Sequence, residues 1–248
     1  MKVYGGTDVG LVRTSNQDSY LIQQDESIYL ENLYIVADGM GGHSSGEVAS
    51  ATAVNEFAKY IKNTVAVKES LTSLLLDATQ KANEKVFWDA VDTEAYQGMG
   101  TTFTALSIKA GVGYVAHIGD SRLYLIRAGE LVLKTEDHSF VYELMKAGKI
   151  SKEEARVHQK RHQLTRALGP DLEPEVDAFS FDLQVGDRLL MCTDGLSNMV
   201  EDEALLATIL NTALEEVIPS LLKQANQKGG QDNITAIIIE IEGDDYAA

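Results

Sequence analysis

Cysteine is all but missing from this sequence: Cys192 is the only one in 248 residues. A lone thiol closes no internal disulfide and offers no sulfur cluster to zinc or iron, so the core must hold the fold. Prolines are equally few, at positions 170, 174 and 219, and no Ser/Gly-rich tract, low-complexity run or internal repeat marks a linker. Residues 1–248 are therefore expected to form one domain. No apolar run approaches the ~20 residues of a membrane span; 234–239 is among the longest. The opening Met1-Lys2-Val3-Tyr4-Gly5-Gly6 lacks the apolar stretch of a signal peptide. Cations are scarce as well, 21 Lys and Arg against 38 Asp and Glu, for a formal charge of −17. A nucleic-acid or anionic-membrane binder would carry the opposite sign. No Gly-x-x-x-x-Gly-Lys-Ser/Thr loop occurs, and Gly41-Gly42 is too short for a dinucleotide fingerprint, which removes nucleotide-binding readings. The expectation is an acidic, cytoplasmic, monomeric globular protein that binds neither nucleic acid nor membrane.

Hydrophobic residues make up 44% of the chain, enough for a well-filled core. Strand-like runs fall at 33–37, 102–108, 113–118, 122–127, 187–192 and 234–241, with hairpin turns at 109–111 and 128–130. Apolar residues at helical spacing predict helices over 46–62, 67–91, 203–210 and 213–227. Hairpins interrupted by helices, without regular βαβ alternation, indicate an α+β fold. Runs such as Leu189-Leu190-Met191-Cys192 are apolar on both faces, which points to sheets packed on sheets with helices outside. Residues 138–168 are basic and polar by contrast and read as a surface insertion, with Ser151 and Glu154 placed for a capping box.

Four acids stand apart from the rest. Asp38, Asp120 and Asp194 each follow an apolar run, Asp232 precedes one, and glycine lies beside or close to each. Any one of them is also an ordinary strand-end turn. If all four strand ends converge, the carboxylates raise one another's pKa and destabilise the fold, a conflict that a divalent cation removes. All-oxygen ligation selects Mg²⁺, Mn²⁺ or Ca²⁺. A pair of such ions bridged by a carboxylate would activate water for in-line attack on phosphorus.

The segments Arg13-Thr14-Ser15-Asn16-Gln17-Asp18, Asp38-Gly39-Met40-Gly41-Gly42-His43, Gly100-Thr101-Thr102, Gly119-Asp120-Ser121-Arg122, Asp137-His138-Ser139, Thr193-Asp194-Gly195 and Gly229-Gly230-Gln231-Asp232-Asn233 occur in this order. Together they resemble the metal-dependent type 2C Ser/Thr protein phosphatases, and most of all the small bacterial members. Each motif is weak alone and the ordered set is specific, running from 7 to about 241. The resemblance implies a four-layer α-β-β-α sandwich of two antiparallel sheets flanked by helices, with two Mn²⁺ or Mg²⁺ ions at one end. It implies that Asp38 bridges both ions, that Asp194 and Asp232 hold the first, and that the Gly39 carbonyl contacts the second. Asp120 with Asp194 matches a third-metal site of bacterial members, Asp18 an outer-shell position, and Arg13 the arginine that grips the substrate phosphate. The implied activity is hydrolysis of phosphoserine and phosphothreonine in proteins by a metal-bridged hydroxide, opposing a Ser/Thr kinase.

Two positions depart from the pattern. Thr193 replaces a common serine and keeps its hydroxyl. Met40 stands where eukaryotic members carry a histidine proposed as general acid, so His43 is either that acid or a loop histidine before the next helix. His158 and His162 read as solvated insertion residues, His117 as a core residue, His138 as orienting its neighbours, and Cys192 as packing. The insertion at 138–168 resembles the flap beside the family's catalytic cleft, and its Lys149, Lys152, Arg156, Lys160 and Arg161 are candidates for recruiting acidic phosphosubstrates. Two alternatives stand beside this reading: a catalytically silent phosphoprotein-binding module of the same fold, and a hydrolase of small phosphoesters.

Overall fold

Aliphatic side chains that alternate between two different apolar layers build the central strands. The structure, a computed structural model, describes residues 1–24, 30, 32–42, 45–64 and 70–243. Strand β3 (Asn32–Met40) places Leu33, Ile35 and Ala37 in one layer and Tyr34 and Val36 in another. In β10 (Arg188–Cys192) and β11 (Ile234–Glu240), Leu190, Cys192, Ala236 and Ile238 join an outer layer, while Leu189, Met191, Ile237 and Ile239 join an inner one. A period of two with both faces apolar is what a sheet covered on each side requires.

One sheet runs β1 (Lys2–Asp8), β11, β10, β7 (Arg122–Arg127) and β8 (Glu130–Leu133). The other runs β2 (Asp18–Gln24), β3, β5 (Phe103–Lys109), β6 (Val112–Ile118) and β9 (Asp177–Asp182), with β4 (Gly100–Thr101) paired to the end of β3. Every described pairing is antiparallel. Helices α1 (Ser45–Asn63) and α2 (Leu71–Asp92) cover the second sheet through Phe57, Ile61, Leu75 and Ala78. On the first sheet, α6 (Asp202–Asn211) and α7 (Leu214–Gln227) pack Leu205, Ile209, Val217 and Leu221. The layers are α-β-β-α, as expected. Among the described residues no helix is long and apolar enough to cross a membrane.

The insertion contributes α3 (Phe140–Lys146) and α4 (Lys152–Val157), and α5 (Asp194–Ser197) is one turn after β10. The predicted capping box is present: Glu154 N donates to Ser151 Oγ at 3.2 Å and Ser151 N to Glu154 Oε2 at 2.8 Å. The helix expected from 67 is described from Leu71, capped by Ser70, whose Oγ accepts from Ser73 N at 3.1 Å; 67–69 lie outside the described residues.

Sequence pattern misses the two-residue β4 and also β1, β2, β8 and β9, which are the four edges of the two sheets. An edge strand is paired on one side only, so it carries polar residues and loses the apolar alternation. Ile237, by contrast, is fully buried between the sheets. Replacing it by alanine is expected to lower the unfolding free energy by about 2–5 kcal/mol. Val132→Ala on the exposed edge should change it by less than ~0.5 kcal/mol, both read by urea denaturation.

Candidate active site

Antiparallel connectivity brings distant strand ends to one edge of the sandwich. Asp38 lies near the end of β3, paired with Asp18 at the start of β2; Asp120 follows β6, Asp194 follows β10, and Asp232 precedes β11. They meet around a cavity of about 260 Å³ whose walls include Arg13, Asp38, Gly39, Asp120, Asp194 and Asp232. The four strand-end carboxylates thus line one cavity, an arrangement the sequence by itself does not establish.

Each acid is held by short-range devices. The Asp38 backbone is clamped by the Gly100-Thr101-Thr102 segment: Asp38 N donates to Thr102 Oγ1 at 2.9 Å, and Thr102 N donates to Asp38 O at 2.9 Å. Gly39 admits no side chain, because a Cβ there would lie 2.0 Å from Gly46 O and 2.5 Å from Gln17 O. Gly195 is equally constrained, with a Cβ 1.9 Å from Asn233 O. Gly119 sits at φ +108, a backbone region that favours glycine. Its N–H donates to His138 Nδ1 at 3.1 Å, and His138 N donates back to Gly119 O at 2.7 Å. An accepting Nδ1 leaves the proton on Nε2, which donates to Asp177 Oδ2 at 3.1 Å; Arg166 Nη1 donates to Asp177 Oδ1 at 2.9 Å. Burial and the Arg166 charge lower the His138 pKa, consistent with a neutral ring. His138 thus orients the Asp120 turn, as the sequence reading anticipated.

Asp18 is buried beneath this edge. Its Oδ2 accepts from Thr235 Oγ1 at 2.6 Å and Thr193 Oγ1 at 2.8 Å. Burial pushes its pKa up to about 7, the Asp194 and Asp232 charges push the same way, and the two threonine hydroxyls oppose them. Asp38 is raised by burial and then by Asp18, Asp194 and Asp120; Asp120 is raised by burial and then by Asp194. Asp194 Oδ2 accepts from Asn198 Nδ2 at 2.9 Å. Asp232 Oδ2 accepts from Arg13 Nη2 at 2.8 Å. Asp18 Oδ1 and Asp194 Oδ1 are buried with no hydrogen-bond partner. Orphaned carboxylate oxygens on an all-oxygen wall fit a hard divalent cation. Among the described residues no group of three or more His, Cys, Asp or Glu side chains is placed to hold an ion by itself.

The family model described as Protein phosphatase 2C matches residues 11–237. The chain belongs to that family. It is 39% identical to the serine/threonine phosphatase stp of Listeria innocua, over 94% of this chain and 93% of that one. Identity to the protein phosphatase PhpP of Streptococcus pneumoniae is 35%, covering 96% and 97%. The crystal structure of the Mycobacterium tuberculosis serine/threonine phosphatase PstP/Ppp matches with a TM-score of 0.88 at 35% identity, over 97% of this chain and 98% of that one. The catalytic domain of PstP in complex with two manganese ions matches with a TM-score of 0.85 at 34% identity, over 97% and 98%.

Several features of this protein phosphatase 2C chain go beyond the sequence reading. His43 lies outside the described residues. His162, read as solvated, lines the cavity, with Nδ1 3.8 Å from Asp194 Oδ2. The insertion lies beside this cavity, where the resemblance puts a flap, but local sequence does not reveal that His162 enters its lining. Asn233 has a linking role that its motif does not reveal. Its Oδ1 accepts from Gln17 N at 2.8 Å, and its Nδ2 donates to Val9 O and Ser15 O, both at 2.9 Å, so it ties the Arg13 loop to β11. His117 is buried between Thr104 Oγ1 at 2.9 Å and Glu136 O at 3.0 Å, and burial pushes its pKa down to about 3. Burial pushes the Cys192 thiol up to about 12, in keeping with a packing role. Of the five insertion cations, Lys152 pairs with Asp202 at 2.7 Å, Arg156 pairs with Glu201, and Lys160 lies 4.9 Å from the Phe140 ring centre. Lys152 and Arg156 therefore fasten the insertion to α6.

Crowded carboxylates make a stability prediction with a definite sign. A group whose folded pKa is raised destabilises the fold at pH values above that pKa and ceases to do so as it takes up a proton. Asp38→Asn is therefore expected to raise the melting temperature of the chelator-treated protein above pH 7, by roughly 2–4 °C for each kcal/mol gained. The gap between variant and wild type should narrow as pH falls from 8 to 5. Calorimetry at both pH values checks this, and a gap that widens on acidification contradicts it.

Proposed function

We propose that the protein is a divalent-metal-dependent serine/threonine protein phosphatase whose catalytic centre is the aspartate-lined cavity. The observation that carries the reading is the set of four strand-end carboxylates lining one cavity together with half-exposed Arg13, with buried partnerless oxygens on Asp194 and on Asp18 behind it. Asp38 would bridge two Mn²⁺ or Mg²⁺ ions, Asp194 and Asp232 would hold the first, and the Gly39 carbonyl would face the second. Asp120 and Asp194 would serve a third ion, with Asp18 in the outer shell. When bound, the cations supply a water activated for in-line attack on phosphorus and offset the charge of the phosphate.

The chain's own residues do the rest. Arg13 is half-exposed and uses one nitrogen on Asp232, so its remaining N–H donors are free to take two phosphate oxygens side by side. Asn233 and Gln17 fix the loop that carries it. Thr193 and Thr235 hold Asp18 in one orientation behind the metal ligands. His43 would deliver a proton to the departing serine or threonine oxygen. Phosphoproteins are the substrates and a Ser/Thr kinase supplies them. The chain acts as a single catalytic domain, monomeric and cytoplasmic.

Hydrolysis of a phosphothreonine peptide is expected with Mn²⁺ or Mg²⁺ and not with chelator. Asp194→Asn should lose more than the roughly 10–100-fold typical of outer-shell changes. Tight metal binding without turnover would point instead to a phosphoprotein-binding module. His43→Ala should slow the phosphopeptide by about 100-fold or more and leave an aryl phosphate, with its better leaving group, far less affected. Equal losses on the two substrates would remove His43 from the role.

A further inference from the structure

A chain of polar side chains runs behind the aspartate-lined cavity and takes no direct part in the proposed reaction. Arg166 Nη1 donates to Asp177 Oδ1 at 2.9 Å, and His138 Nε2 donates to Asp177 Oδ2 at 3.1 Å. His138 Nδ1 accepts from Gly119 N at 3.1 Å, and Asp120 is the next residue. Asp177 opens β9 and is paired in register with His117, the residue before the last of β6.

The middle of this chain has little room to adjust. His138 is buried, and its ring centre lies 4.9 Å from that of His117. A backbone carbonyl can only accept, so His117 Nε2 donates to Glu136 O at 3.0 Å and its Nδ1 accepts from Thr104 Oγ1 at 2.9 Å. Segment 136–138 is thereby pinned to β6, while Arg122 grips Asp137 at 2.6 Å. A neutral imidazole offers one donor and one acceptor nitrogen. The Gly119 N–H needs the acceptor at Nδ1, so the group facing Nε2 has to accept. A carboxylate has no proton to give and can do nothing else.

We propose that Asp177 is a positioning residue for Asp120, acting through the His138 ring that it holds in one tautomer, and that Arg166 fixes the Asp177 carboxylate for that task. The consequence for metal rests on the phosphatase reading, since a displaced Asp120 turn weakens the binding of the ion that Asp120 would serve. Asp177→Asn is the informative change because it keeps the size of the side chain. Arg166 can donate only to the oxygen of the new amide, which turns the amide N–H donors toward His138 Nε2. The ring then meets a donor on each side with one acceptor to offer, and the bond to Gly119 is lost or weakened.

The test begins with nitrogen NMR of the histidine rings in the chelator-treated protein, with His138 assigned through its contact with the Gly119 N–H. The wild type is expected to carry the His138 proton on Nε2. Asp177→Asn should shift it toward Nδ1 and speed hydrogen exchange at Gly119. In Mn²⁺ titrations followed by calorimetry, the same variant should bind its weakest ion about tenfold or more less tightly. Asp177→Asn with Arg166→Ala frees the amide to turn its oxygen to Nε2. The double variant should therefore recover the wild-type tautomer and bind that ion more tightly than Asp177→Asn alone. A merely structural pair gives the opposite result, because losing both partners adds to the damage. An Nδ1 proton in the wild type, an unchanged Mn²⁺ affinity in Asp177→Asn, or a double variant no better than the single one overturns the proposal. The wild-type tautomer needs no variant and decides the matter even where a variant fails to fold. Failure of the phosphatase reading is distinct: the wild type would then hydrolyse no phosphothreonine peptide, with the tautomer and Mn²⁺ results unchanged.

Discussion

Repulsion among carboxylates gathered at one edge of a dry sandwich is the constraint on which the rest of this structure depends. Asp18, Asp38 and Asp120 all have pKa values raised by burial and by one another or their acidic neighbours. Such an arrangement survives only because the three apolar layers behind it are large and well filled. Neutral donors relieve part of the conflict: the hydroxyls of Thr193 and Thr235 on Asp18, and the amide of Asn198 on Asp194. Arg13 relieves another part at Asp232. The oxygens left without partners are where cations would complete the balance, so the feature that weakens the empty fold is the one that prepares it for metal.

The edge is kept in register by close backbone approaches more than by side-chain packing. Gly39 lets α1 come up against β3, and Gly195 lets the turn after β10 lie against Asn233. Gly119 adopts a left-handed conformation held from both sides by His138. At each of these points a methyl group would push a carboxylate or carbonyl of the cavity out of line. The glycines beside the acids are therefore positional requirements of the site.

The insertion is built on a different principle. It carries little core of its own and is fastened to α6 by Lys152–Asp202 and Arg156–Glu201. Ion pairs at a surface are individually weak and salt-sensitive, so this segment is held less firmly than the sandwich. It nevertheless places His162 in the lining of the aspartate-lined cavity.

Composition and local pattern by themselves determined that this chain forms sheets packed on sheets. Residues 33–37, 189–192 and 236–239 are apolar on both faces, and a strand of that kind has to be covered twice. The edge strands escaped that pattern because pairing on one side makes no such demand of their side chains. The chemistry of the site was legible as acids at strand ends with glycine nearby, and their number argued for convergence. Convergence itself, the pairing of Arg13 with Asp232 and the linking role of Asn233 were decided only by tertiary structure. So were the return of His162 to the cavity and the diversion of Lys152 and Arg156 into internal ion pairs. Sequence periodicity encodes which face of an element is buried, a property of neighbours a few residues apart. Which charge meets which across some two hundred residues of chain is set by the order in which strands lie in their sheets, and no local pattern carries that order.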